Sequence, residues 1–77
     1  MSDLSEIIKG KIKEIAFKKV NDDDELFKSG VLTSILTVDL ATALEEELGI
    51  SIPFTEITAE NFNSVNSIKE YLNSKKN

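Results

Sequence analysis

Ser34 carries a hydroxyl at a place where a hydroxyl can be reached. It lies within Gly30-Val31-Leu32-Thr33-Ser34-Ile35-Leu36, where a turn-like loop runs into an amphipathic pattern that continues to Leu48. Thr33 is a good N-cap, because its hydroxyl can accept from a free N–H of the first turn, and that sets Ser34 at the first helical position. A side chain there is exposed, flanked by apolar residues, and beside the positive end of the helix macrodipole. The chain contains no histidine and no cysteine, so no obvious base on it activates Ser34 as a nucleophile. Carboxylates are plentiful, yet no pair is evidently buried in a pocket. The expectation is an attachment point on which other enzymes act, not a catalyst.

Composition narrows the field further. The 77 residues are 40% apolar and 6% aromatic, enough for one small helical core and too little for a deep catalytic cavity. Ordinary per-residue stability predicts about 4–12 kcal/mol for such a fold. Without cysteine or histidine there is no disulfide framework, no Cys/His zinc site, no thiol nucleophile and no Ser–His pair. The segment Met1-Ser2-Asp3-Leu4-Ser5-Glu6 has neither a basic nor an apolar signal region, and no apolar run approaches membrane-span length. A cytoplasmic, monomeric protein is expected. The net charge of −5 argues against nucleic acid and anionic membranes as partners. Five of the nine lysines (Lys9, Lys11, Lys13, Lys18, Lys19) lie in the N-terminal segment, and no basic residue occurs between Ser29 and Ile68. Asp39, Glu45, Glu46, Glu47, Glu56 and Glu60 all fall in that basic-free stretch, which leaves either basic partners or a merely solvated acidic face.

The pattern predicts a first helix from about Asp3 to about Phe17, with Leu4, Ile7, Ile8, Ile12 and Ile15 on one face. Lys9 and Lys13 lie off that face, and Glu14 is placed to reach Lys18 one turn on. Gly10 inside this helix costs about 1 kcal/mol relative to alanine without ending it. A loop opens at Asn21-Asp22-Asp23-Asp24-Glu25 and runs through Ser29-Gly30, with Leu26 and Phe27 tucked inward. An EF-hand counted from Asp22 needs glycine at its sixth position and glutamate at its twelfth. Phe27 and Thr33 stand there, so no metal site is read.

The second helix runs from Ser34 to Leu48 and stops at Gly49, which is free to adopt positive φ. Leu40, Leu44 and Leu48, with Ala41 and Ala43, make its core face. Ile35, Val38, Thr42, Glu45 and Glu46 fall toward another face bordered by Asp39, and Glu47 points outward. Ile50-Ser51-Ile52-Pro53 reads as an extended linker with Ile50 and Ile52 as plugs. Thr58 to Phe62 reads as a capped single helical turn. Ser64 caps a last helix to about Asn73, with Val65, Ile68, Tyr71 and Leu72 inward, and residues 74–77 form a frayed tail. The fold class is all-α: a small four-helix bundle, three main helices plus one short one, as one domain over residues 1–77 with its core at about 4–72.

The order and spacing of these features resemble the acyl and peptidyl carrier proteins over about residues 4–72. The resemblance rests on Leu26-Phe27 before the glycine, the stretch Gly30 to Ile35, and Ala43-Leu44-Glu45-Glu46-Glu47-Leu48-Gly49-Ile50-Ser51-Ile52-Pro53. The run Ile57-Thr58-Ala59-Glu60-Asn61-Phe62-Asn63-Ser64-Val65 is similar to the third-helix region of specialised carriers and of D-alanyl carrier proteins.

This resemblance implies a 4′-phosphopantetheine arm on Ser34, donated from coenzyme A by a phosphopantetheinyl transferase. A phosphodiester at a helix N-terminus suits the free N–H groups and the dipole. It also implies loading by an acyl or aminoacyl ligase and encounters with downstream acyltransferases or synthases that carry basic docking patches. Thr33, Ile35, Leu36, Val38, Asp39, Thr42, Glu45 and Glu46 are the docking residues so implied. Two positions depart from the family pattern. Thr33 replaces the usual aspartate before the serine, and Leu36 replaces an often acidic residue two places after it. The leading expectation is an acyl carrier in fatty-acid-like or specialised biosynthesis. The alternatives are an aminoacyl carrier of the D-alanyl or peptidyl type, and an unmodified acidic helical interaction domain.

Overall fold

Helix capping by short polar side chains determines where each α-helix begins. The computed structural model describes residues 3–76. Helix α1 (Leu4–Ala16) starts at Asp3, whose carboxylate accepts from the Ser5 N–H, and stops where Phe17 turns left-handed at φ 57°. Helix α2 (Ser34–Leu48) is capped by Thr33 and closed by Gly49 at φ 66°. A 3-10 turn (Phe54–Glu56) follows, then the single turn α3 (Ala59–Phe62) capped by Thr58, then α4 (Val65–Lys76). Ser64 Oγ accepts from the Ser67 N–H at 3.1 Å at the start of α4. Among the described residues there is no strand, and the all-helical bundle read from the sequence is the observed fold.

α1 packs on α2 and on α4, and α3 packs on α4. Ile8 and Ile12 of α1, Leu40 and Leu44 of α2, Phe62 of α3, and Val65, Ile68 and Leu72 of α4 meet in one buried cluster. Leu4, Ile7 and Ile15 flank it half-buried, as does Leu48, which sits at the edge of the core rather than within it. Phe62 is fully buried, with its ring centroid 5.9 Å from that of Tyr71.

The long loop is held by its own polar groups. Asp22 pairs with Lys9, Asp24 Oδ2 accepts from the Asn21 N–H at 2.9 Å, and Asp23 accepts from the Asn66 side chain. The Leu26 N–H donates to Asn63 O at 2.7 Å, and the Asn66 N–H to Asp22 O at 3.1 Å. Leu26 and Leu32 are buried between these ties, while Phe27 is half-buried against the core. The acidic run thus stitches the loop to α1 and α4.

Three local expectations change. Glu14 does not reach Lys18, because the left-handed turn at Phe17 ends the helix between them; it lies 3.8 Å from Lys11 instead. Lys11 also reaches Glu47 at 3.2 Å, so Glu47 bridges α2 to α1 rather than pointing only into water. The linker over residues 50–53 is free of helix, as read, and the 3-10 turn Phe54–Glu56 that follows it was not foreseen. Ser74 to Lys76 are helical instead of frayed, because Lys75 Nζ sits 3.2 Å from Glu56 and 5.7 Å from the Tyr71 ring centroid. Met1, Ser2 and Asn77, the ends of the expected domain and tail, lie outside the described residues.

Phe62→Ala is expected to lower the unfolding free energy by about 3–5 kcal/mol, read from urea denaturation, through lost burial and the cavity left between α3 and α4.

Candidate functional site

The candidate site is the first turn of α2 and the groove beside it. Thr33 Oγ1 accepts from the Leu36 N–H at 3.2 Å, and Thr33 O accepts from both the Thr37 N–H at 2.9 Å and the Thr37 hydroxyl at 2.7 Å. The Ser34 and Ile35 N–H groups precede the intrahelical ladder and face outward from the helix end. No acidic residue lies in this first turn. Ser34 is exposed, while Leu32 before it and Thr37 after it are buried. The hydroxyl therefore stands in water on a backbone clamped from both sides.

A groove of about 420 Å³ opens beside it, lined by Phe27, Ser34, Thr37, Val38, Phe54, Ile57 and Ala59. One wall is α2; the other comes from the 3-10 turn and the residues that follow it. That second wall is held at Glu56, whose carboxylate accepts from the Tyr71 hydroxyl and from Lys75 Nζ at 3.2 Å, while Asn61 Nδ2 donates to Glu56 O at 2.9 Å. The Tyr71 bond first, and Lys75 second, hold the Glu56 carboxyl below the usual range. Burial first, and the bond to Glu56 second, push the Tyr71 phenol well above its ordinary value, so it stays a donor at physiological pH.

The expected docking residues divide in two. Thr33, Ile35, Val38, Asp39, Thr42 and Glu46 are exposed, with Ile35 at 76% and Val38 at 36%. Leu36 and Glu45 are turned to structural use. Leu36 packs half-buried against the core, and Glu45 Oε2 accepts from the Ile52 N–H at 2.7 Å, fastening the linker to α2. Sequence reasoning missed the groove's far wall, above all Phe54, which is 77% exposed. Its signal was a bulky apolar residue directly after Pro53, with no helical face to claim it. Thr37 was missed too, although its place one turn after Ser34 was a signal that could have found it.

These residues suit a phosphodiester-linked arm. The hydroxyl is accessible, the helix end supplies free N–H groups without a competing carboxylate, and the groove next to it is largely apolar. The family model for the phosphopantetheine attachment site matches residues 2–72. The chain belongs to that family of carrier domains. It is 37% identical over 68 residues to a D-alanyl carrier protein of Streptococcus suis, covering 86% of each chain. It is 38% identical over 68 residues to one of Streptococcus mutans, covering 86% of this chain and 85% of that one. The match to the Bacillus velezensis D-alanyl carrier protein is 42% over 50 residues, and spans just 64% of that protein's length. The prosthetic group of the family, 4′-phosphopantetheine, is accordingly the cofactor. Such domains are generally non-catalytic and work with phosphopantetheinyl transferases and ligases. Among the described residues, no helix is long and apolar enough to cross a membrane.

A carboxylate with a depressed folded-state pKa stabilises the fold above its unfolded value, and that contribution disappears as pH falls through the folded value. Thermal melts of wild type are therefore expected to lose stability on acidification from about pH 5 to about pH 3 more steeply than melts of Tyr71→Phe. Equal slopes would remove Tyr71 as the main cause of the Glu56 shift.

Proposed function

We propose that Ser34 is the attachment serine and that the protein is an aminoacyl carrier of the D-alanyl type. The observation that carries the attachment is the exposed Ser34 hydroxyl at the capped start of α2, beside an apolar groove. Among the other described serines none stands exposed at the start of a helix: Ser5 is buried, Ser29 donates to Leu26 O, Ser64 and Ser67 bond to one another, Ser51 lies in the linker and Ser74 within α4.

In the attachment step, Ser34 Oγ attacks the coenzyme A phosphorus nearer the pantetheine. The Oγ–P bond forms and the P–O bond to adenosine 3′,5′-bisphosphate breaks. The hydroxyl proton passes to a base of the transferase, since this chain has no histidine or cysteine. The arm supplies the thiol that the chain lacks, which holds cargo as a thioester. Ser34 and Ile35 N–H groups and the α2 dipole then favour the phosphodiester.

Two observations favour an aminoacyl cargo over the fatty-acid-like reading. The relatives compared above are named D-alanyl carrier proteins. The cavity beside Ser34 is a surface groove with Val38, Phe54 and Ala59 exposed on its walls, whereas Leu40, Leu44, Val65 and Ile68 close the space between the helices. With the core closed, a small cargo suits that arrangement better than a long acyl chain. Asp39 and Glu46 offer carboxylates to basic patches on the loading ligase or on enzymes that consume the cargo, giving quick and salt-sensitive encounters.

Incubated with coenzyme A and a broad-tolerance phosphopantetheinyl transferase, the wild-type chain is expected to gain the mass of one arm and Ser34→Ala to gain none. Arm addition to Ser34→Ala would place attachment elsewhere. The holo form is then expected to take D-alanine from a D-alanine-activating ligase with ATP more readily than octanoate from a fatty acyl ligase. The reverse preference would restore the acyl reading.

A further inference from the structure

Ser34 stands in an uncharged collar. From Ser29 through Val38 no residue carries a charge, and the acidic face of α2 begins only at Asp39. Of the carboxylates that follow, Glu45 is engaged by the Ile52 N–H and Glu47 by Lys11. Apolar side chains take the place of charge around the hydroxyl. Ile35, the next residue, is 76% exposed, and Val38 and Phe54 line the same groove as Ser34. Phe54 stands 77% exposed on a turn that Tyr71 and Lys75 hold through Glu56. A large aromatic side chain held in water on a fixed turn is a ready anchor for a partner surface, and three apolar groups beside one accessible hydroxyl mark where that partner contacts.

The enzyme that must approach Ser34 Oγ most closely is the one that forms the Oγ–P bond. We propose that the phosphopantetheinyl transferase docks on this chain through apolar contacts with Ile35, Val38 and Phe54, with Phe54 as the specificity-determining anchor. The α2 carboxylates take little part in that step. The proposal rests on the reading of Ser34 as the attachment serine. It assigns two contact chemistries to adjoining surfaces: an apolar collar for modification, and Asp39 with Glu46 for basic partners met afterwards. The two respond differently to salt, because screening weakens exposed charge pairs and leaves apolar burial intact.

The test uses the full-length apo chain, coenzyme A and a broad-tolerance phosphopantetheinyl transferase, with initial rates read from intact mass. Between about 0.05 M and about 0.5 M NaCl, kcat/KM for the chain is expected to change by less than about threefold. Phe54→Ser is expected to raise KM about tenfold with kcat within about twofold, and Phe54→Leu to recover most of the loss. Because Phe54 is exposed, its variants should keep the wild-type circular dichroism spectrum and melting temperature. The double variant Asp39→Asn, Glu46→Gln is expected to keep the wild-type KM within about twofold. A larger fall with salt, a wild-type KM in Phe54→Ser, or a raised KM in the double variant would overturn apolar docking while leaving attachment at Ser34 standing. A wild-type chain that gains no arm, or a Ser34→Ala chain that does, would overturn the attachment reading and this proposal with it.

Discussion

The start of α2 has to be rigid while its first side chain stays in water, and Thr33 meets both demands. Its hydroxyl takes the Leu36 N–H, and its carbonyl takes two donors from Thr37. Those bonds fix the first turn without using Ser34. Leu32 and Thr37 are buried on either side, and Leu36 packs half-buried, so the backbone cannot swing away from the core. An aspartate cap would do the same structural work and add a negative charge next to the hydroxyl. Threonine caps without that charge, which leaves the helix dipole unopposed beside the Ser34 hydroxyl.

The loop that delivers Ser34 is long, and its order comes from groups far away in sequence. Asn63 and Asn66 anchor it through Leu26 and Asp22, and Asp23 reaches the Asn66 side chain. Burial of Leu26 and Leu32 adds apolar fastening between the polar ties. The surface at the α2 N-terminus is therefore preformed, and a partner docking there as proposed need not order a mobile loop first. The 3-10 turn is fixed in the same manner. Tyr71 and Lys75 hold Glu56, and Glu45 holds Ile52, so both ends of the segment bearing Phe54 are tied.

The charge distribution reads differently once the fold is known. Lys11 engages Glu47, Lys9 engages Asp22 and Lys75 engages Glu56, which ties several acidic groups to local cations. Asp39 and Glu46 remain as exposed carboxylates along α2, beyond the uncharged collar around Ser34. The surface around the start of α2 is thus an apolar patch at the helix end, adjoined by an acidic stripe.

Much of this was legible in order of residues alone. Asp3, Thr33, Gly49, Thr58 and Ser64 mark helix ends by interactions that span at most a few residues, so their spacing reveals them directly. The heptad-like recurrence of Ile and Leu sorted the core face from the outer face for the same reason. Ser34 could be singled out because its chemistry depends on its helix position and on the absence of histidine and cysteine, both local or countable facts. Tertiary structure alone decided which carboxylates are engaged, that Leu36 and Glu45 turn to structural use, that residues 74–76 stay helical, and that Phe54 forms part of a groove with Ser34. Each of those depends on pairs such as Glu56 with Tyr71 or Lys11 with Glu47, brought together by packing across many residues of chain, and no periodicity along one segment encodes which distant partner will arrive.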